Sequence, residues 1–319
     1  MEKTYELMPN AKMLLSSLRS VGYTEETAIA DIVDNSISSG ANTIQLYFDW
    51  DDQTILIADN GKGMQKRELL DSMKIGSSDP GVTRSASDLG RFGMGMKTAS
   101  FSLGKQLLVI TKQKDEINNA EWNLEYVENE DKWEILIHSD EKIDTYIKSK
   151  TDKIEFQNWD EGTLISLSML DKLIDENNMQ KSKVKFYKTV EKVKKHLAMI
   201  FHRFIEEDNL QIYVNKNLLE AWNPFIRQNP ATMELACEEL FDGKTIVSIE
   251  PYILPHKTKF EDEEAFKKAG GAKDWLAHQG FYVYRNRRLI VYGTWFGKFK
   301  KEPAYNLSLI HISEPTRPY

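Results

Sequence analysis

Three short polar segments stand in a fixed order between Thr24 and Ser102, and they constrain this chain more than anything else in it. The first is Ala30-Asp31-Ile32-Val33-Asp34-Asn35-Ser36, which puts acids and an amide on a stretch of helical periodicity. The second is Asp59-Asn60-Gly61-Lys62-Gly63-Met64, a carboxylate directly before a glycine turn. The third is Gly90-Arg91-Phe92-Gly93-Met94-Gly95-Met96-Lys97, a glycine loop that opens a helix. A helix with hard donors, a carboxylate placed to meet a base and a glycine loop that can hold phosphates together describe a nucleotide site.

The rest of the first half supplies a frame for these segments. Leu7, Met8, Met13, Leu14, Leu15 and Leu18 predict a helix within 5–20. Thr24 is a good N-cap, Glu25 and Glu26 suit a first turn, and Ser38-Ser39-Gly40 ends the helix that carries Asp31 and Asn35. Thr43 to Phe48 and Thr54 to Ala58 read as a hairpin turning at Asp49–Asp52, with Asp59 at its exit. Helices are expected at Gln65–Lys74 and Met96–Leu103, separated by a polar loop or lid at 75–89. Strands are expected at about 105–112, 121–127, 132–138 and 163–168. This alternation predicts an α+β sandwich with helices on one face of a largely antiparallel sheet.

A Lys-rich amphipathic helix is expected at Ser182–Glu207, with Val184, Tyr187, Val190, Val193, Leu197, Ile200 and Phe204 on its apolar stripe. The domain boundary is placed near 180, giving a first domain over 1–180 and a second over 181–306. Strands at about 209–214, 245–253 and 280–292 are assigned to the second domain. An irregular charged segment fills 254–277, with a bend at Gly270-Gly271. The end of the chain, 307–319, looks like translated transposase-type sequencing adapter, so it is set aside as a tail. The expectation is that the natural chain is cut near Asn306.

Each segment has its own chemistry. Asp31 and Asn35 are four residues apart, so a helix stacks them on one face. The Asn35 amide oxygen is a hard ligand suited to Mg²⁺, and a carboxylate one turn earlier can polarise an attacking water. Asp34 lies about 100° round the helix from Asn35, in a supporting place. Solvated or capping groups have the same composition near a helix end, so this pair says little alone. Asp59 can accept from the exocyclic amine of adenine, whereas guanine would present a carbonyl. Gly61 and Gly63 would let backbone approach the ring, although an Asp-Asn-Gly turn between strand and helix reads the same way. Gly90, Gly93 and Gly95 have G-x-x-G-x-G spacing before a helix, whose N–H groups can hold phosphate oxygens, and Lys97 can add a point charge. The spacing is neither the dinucleotide fingerprint nor a Walker loop.

Composition narrows the setting. With 319 residues the chain has room for two domains, and a net charge of -7 argues against a basic nucleic-acid coat. A local basic patch remains open at Lys-rich 181–195, as does a merely solvated helix face. Cys237 is the lone cysteine, which fits a reducing compartment. The N-terminus has no apolar signal core, and no run approaches the roughly 18 apolar residues of a membrane helix. A soluble, cytoplasmic protein with no membrane partner is expected.

Taken in order, residues 24–112 resemble the ATP-binding module of the GHKL superfamily, which includes gyrase, heat-shock chaperone, histidine kinase and MutL types. Asp31-x-x-x-Asn35 resembles its N box, Asp59-x-Gly61-x-Gly63 its adenine box, and Gly90-x-x-Gly93-x-Gly95 its lid glycines. Gly162-Thr163-Leu164-Ile165 is similar to the late strand whose Thr backs the adenine carboxylate. Ala28 to Ser36, Gly93 to Lys97 and Gly280-Phe281-Tyr282-Val283-Tyr284-Arg285-Asn286-Arg287-Arg288-Leu289-Ile290 resemble the microrchidia (MORC) type. The last of these is similar to an S5-like transducer segment.

The resemblance implies a GHKL (Bergerat) ATP-binding sandwich followed by a truncated S5-like α/β transducer, with ATP and Mg²⁺ as cofactors. It implies Asp31 as the catalytic base and Asn35 as the metal ligand. Asn35, Asp59, Gly61, Gly63, Met64, Gly90, Phe92, Gly93, Met94, Gly95, Met96, Lys97 and Thr163 become the nucleotide-binding residues. It further implies ATP hydrolysis driving a lid and homodimer clamp, with DNA or DNA-bound complexes as targets. The alternative is a non-hydrolysing ATP-binding switch. Most members of the superfamily have Glu where Asp31 stands, so turnover is expected to be slow. The transducer Lys that meets the γ-phosphate is expected beyond the chain's end, although Lys298, Lys300 and Lys301 stand nearby. A histidine kinase is a weaker fit, because His196 and His202 follow the module whereas such kinases carry their phospho-His before it.

Overall fold

The computed structural model describes residues 5, 10–20, 22–76, 95–241, 246–271, 274–298 and 308–314, with the backbone alone for 274, 276 and 308–314. The described chain divides into two units. The first runs to Lys194 and takes in Leu210–Leu219, while the second holds Lys195–Asn209 and the residues from Glu220 onward.

The first unit opens with α1 (Ala11–Arg19), α2 (Glu25–Ser38), the hairpin β1 (Thr43–Asp49) and β2 (Thr54–Asp59), α3 (Lys66–Met73) and α4 (Gly95–Leu103). It continues through β3 (Gln106–Gln113), β4 (Glu116–Asn123), α5 (Leu124–Glu130), α6 (Asp140–Lys148), β5 (Gly162–Ser168) and α7 (Met179–Ile200), inside which the division falls. After α8 (His202–Glu207) come β6 (Gln211–Val214) and β7 (Asn217–Leu218). The sheet order is β4-β3-β5-β2-β1-β6-β7. Its pairs are antiparallel except β1 with β6. This α+β fold agrees with the expectation, and Thr24 caps α2 as its sequence position demands.

The sheet is covered on both faces rather than one. Alternate residues Leu56, Ala58, Leu108, Ile110 and Leu164 pack with Ile143 and Ile147 of α6 and with Ile154 and Phe156. Ile55, Ile57 and Asp59 therefore face the opposite layer, where Asp59 meets α2. All of β2 is buried, as its unbroken Ile55-Leu56-Ile57-Ala58 run requires of a strand covered on both sides.

Four local expectations need correction. The strand expected at 121–127 is β4, ending at Asn123, whose side chain accepts from the Tyr126 N–H and starts α5. No strand forms at 132–138; a single bridge joins Glu121 to Leu136. The helix expected over Ser182–Glu207 is interrupted at buried Phe201 (φ -106°, ψ 10°), which separates α7 from α8. The strand at Gln211–Val214 pairs parallel with β1 in the first sheet, not with the second-unit strands.

The second unit holds a sheet of β8 (Met233–Glu234), β9 (Glu238–Phe241), β10 (Ile246–Ile253), β11 (Gly280–Arg285), β12 (Arg288–Thr294) and β13 (Ser308–Glu314). The 254–277 segment is not irregular throughout. Asp262 caps α9 (Glu263–Ala269) by accepting from the Ala265 N–H, and Phe266 stacks on Trp275 of α10 (Asp274–Ala277) at 4.8 Å. The β13 backbone, within the stretch set aside as a tail, is antiparallel to β10 and parallel to β11. Phe225 lies in an aromatic core with Tyr252, Tyr282 and Tyr284. Buried His202 belongs there too, with Nδ1 2.7 Å from the Met199 carbonyl oxygen, a core placement rather than an exposed phosphate acceptor.

Candidate functional site

The site is built on α2. Thr24 accepts from the Thr27 N–H and starts the helix at a defined residue. Ala28, Ile29, Ala30, Ile32 and Val33 are buried, which leaves Asp31 half-buried and Asn35 exposed one turn apart. The Asn35 amide N–H donates to the Asp31 carbonyl at 3.0 Å, leaving the amide oxygen as the end suited to a cation. Asp31 Oδ2 accepts from the Tyr23 hydroxyl at 2.7 Å. Asp34 is buried on the inner side of the helix.

Asp59 leaves β2 toward this helix and is 4% exposed. Its Oδ2 accepts from the Ser36 hydroxyl at 2.8 Å and its Oδ1 from the Gly61 N–H at 2.9 Å. The Thr163 N–H on neighbouring β5 adds a third hydrogen bond. Burial pushes the carboxyl above the ordinary carboxylate range, and these three donors oppose that shift. Thr163 thus backs Asp59 with its main chain, while its hydroxyl lies 3.5 Å from Thr111 Oγ1. Thr111 is fully buried, contacts the Gly162 carbonyl at 3.2 Å and accepts from the Met64 N–H at 2.8 Å.

The glycines of the turn are required by the protein's own packing. A Cβ at Gly61 would lie 2.0 Å from Ser39 Oγ, and one at Gly63 would lie 2.1 Å from the Lys112 carbonyl oxygen, on a backbone with φ +63°. Asn60 reinforces the turn by accepting from the Thr43 N–H at 2.9 Å.

Of the glycine loop, Gly90, Phe92, Gly93 and Met94 lie outside the described residues, as does 77–89 of the expected lid. Gly95 begins α4 beside α2, where a Cβ would lie 3.7 Å from Asp31 Oδ2. Met96 is half-buried. Lys97 is 2% exposed, and its ammonium donates to the Ser72 carbonyl oxygen near the end of α3 at 2.6 Å. Burial lowers its pKa from an ordinary 10.5 to about 8.

The structure therefore brings together Asp31, Asn35, Asp59, Gly61, Gly63, Met64, Gly95 and Thr163. Ser36, Thr111 and Tyr23 are neighbours that sequence reasoning did not assign. Ser36 had a signal, since it is a hydroxyl directly after Asn35. Thr111 is a polar residue ending an apolar run in β3. Among the described residues no group of three or more His, Cys, Asp or Glu could hold a metal ion. No helix among them is long and apolar enough to cross a membrane.

Comparison with known proteins adds the family. Residues 23–160 match the family described as histidine kinase-, DNA gyrase B-, and HSP90-like ATPase. ATPase morc-1 of Caenorhabditis elegans is 33% identical over 121 residues, 36% of this chain and 14% of that protein. MORC family CW-type zinc finger protein 3 of Mus musculus is 28% identical over 109 residues, 32% of this chain and 11% of its own length. ATPase MORC2 of Homo sapiens is 25% identical over 119 residues, 35% of this chain and 11% of its own length. The match thus spans about a seventh or less of these relatives. Residues 23–160 are thus similar to the GHKL-type ATPase domain, and the chain is MORC-like in the part that these relatives match.

Proposed function

We propose that the chain binds ATP with Mg²⁺ at this site and hydrolyses it slowly. The observation that carries the reading is Asp59, a buried carboxylate with three protein donors, at the exit of β2 beside the helix that bears Asp31 and Asn35. Asp59 would accept from the adenine amine, and guanine offers no donor there. Asn35 would hold Mg²⁺, which supplies charge neutralisation to the phosphates. Asp31 would take a proton from water as its oxygen attacks the γ-phosphorus and the bond to ADP breaks. Gly90 to Lys97 would cradle phosphate at the start of α4. For Lys97 to serve there, its ammonium would leave Ser72.

Domains over 1–180 and 181–306 rest on the helix and strand pattern, and a cytoplasmic setting on the lone Cys237. A lid at 75–95, ATP-dependent homodimerisation and remodelling of DNA or DNA-bound complexes rest on kinship with MORC-like chains. ATP would favour the closed lid and dimer, and hydrolysis would reset them. Asp31→Ala is expected to abolish phosphate release while ATP binding stays within about threefold, and Asp59→Asn to weaken binding by about 100-fold or more. Calorimetric titration beside a phosphate-release assay checks both. Full turnover by Asp31→Ala would remove the assigned base. Sedimentation with a non-hydrolysable ATP analogue tests the dimer, and DNA binding across a salt series with and without ATP tests the target.

A second reading is favoured by the Asp at position 31, one methylene shorter than Glu. A switch that binds ATP without turning it over would show nucleotide affinity with no phosphate release.

A further inference from the structure

The half-buried phenol of Tyr23, directly before the cap of α2, points at the one carboxylate that the proposed hydrolysis uses. We propose that Tyr23 is the positioning residue of Asp31: its hydroxyl pins Oδ2, so that Oδ1 is the atom presented to the attacking water. This inference rests on the reading of Asp31 as the base and goes beyond it, because neither the motifs nor the kinship assigns a role to Tyr23.

Three observations converge. The Tyr23 hydroxyl donates to Asp31 Oδ2 at 2.7 Å in a partly buried setting. Thr98, buried on α4, is hydrogen-bonded to the same phenol and contacts the Gly95 carbonyl at 3.3 Å, so the phenol is held from the helix that follows the glycine loop. The start of α4 lies beside the same oxygen, since a Cβ on Gly95 would be in ordinary contact with Oδ2 at 3.7 Å. One carboxylate oxygen thus accepts from Tyr23 and lies beside the start of α4.

The chemistry explains why such a clamp matters. A short carboxylate that swings about its own bonds spends little time in line with a water, and misplacement of about 1 Å can cost about 100-fold in rate. A hydrogen bond from a neutral donor to an ionised acceptor is among the stronger ones and restrains the oxygen that accepts it. Burial first, then the Asp31 hydrogen bond and charge, push Tyr23 up to about 12, so the phenol keeps its proton and stays a donor at neutral pH.

The test uses the full chain with Tyr23→Phe, Asp31→Asn and the double variant. Phosphate release gives kcat, and titration with a non-hydrolysable ATP analogue gives Kd. Tyr23→Phe is expected to lower kcat by about 10- to 100-fold with Kd within about twofold. The double variant is expected to be no slower than Asp31→Asn, since the phenol acts only through that carboxylate. Parental kcat in Tyr23→Phe beside an inactive Asp31→Asn would overturn the positioning role alone. A parallel loss of ATP affinity and thermal stability would overturn it in favour of a packing role. Normal turnover by Asp31→Asn, or no turnover by the parent, would instead show that the base reading had failed and take this inference with it.

Discussion

Asp59 stands at the centre of the candidate site, and its surroundings explain how a carboxylate is held there. Asp59 is buried and would be costly there without donors, which come from Ser36, Gly61 and Thr163 on three separate segments. Its place at a strand exit was legible, but an Asp-Asn-Gly turn between strand and helix reads the same way, and only the order of the other motifs singled it out. Its donors were less so, since Ser36 and Thr163 lie 23 residues before and 104 after it. Lys97 shows the same limit. Its sequence position suggested a phosphate contact, yet the ammonium is buried against the Ser72 carbonyl. Because its folded pKa falls from 10.5 to about 8, the folded state holds fewer protons than the unfolded state between those values. This group therefore makes stability rise with pH through that window, and its penalty is fully present below pH 8. Urea unfolding at several pH values is expected to show that Lys97→Met removes a slope of up to ~1.4 kcal/mol per pH unit.

At the scale of elements, α2 is the part on which the proposed function rests. Its start is set by Thr24 and Thr27, and its inner face by Ala28, Ile29, Ile32 and Val33. Thr24→Ala is expected to cost about 1 kcal/mol, read as a fall in the urea midpoint at unchanged slope. ATP affinity should fall about two- to fivefold, because fraying of the first turns disturbs Tyr23 and Asp31 before it reaches Asn35. The elements that sequence reading missed were short and charged. In α6, Ile143 and Ile147 are buried among charged neighbours, and a nine-residue helix of that kind is decided by the sheet face it covers. α5 turns on one side chain, Asn123, which ends a strand as readily as it caps a helix.

At the scale of the whole molecule, the proposed nucleotide and the first unit are linked by mass action. ATP at 100 times its Kd should stabilise that unit by about 2.7 kcal/mol, raising its melting temperature by roughly 5–10 °C. Scanning calorimetry should find this shift abolished in Asp59→Asn and retained in Asp31→Ala. An equal shift in both variants would place the nucleotide elsewhere.

Sequence alone was enough for the helix that carries Asp31 and Asn35, the hairpin that ends at Asp59 and the α+β class, because capping, strand alternation and turn chemistry act over a few residues. The same motifs in order were enough to suggest the family. Only the tertiary structure decided that the sheet is covered on both faces, that β6 returns to pair with β1, and that Lys97 turns to Ser72. It alone put Tyr23 on Asp31 and Ser36 on Asp59. Those outcomes depend on which surfaces meet after the chain folds back, and no local periodicity encodes that choice.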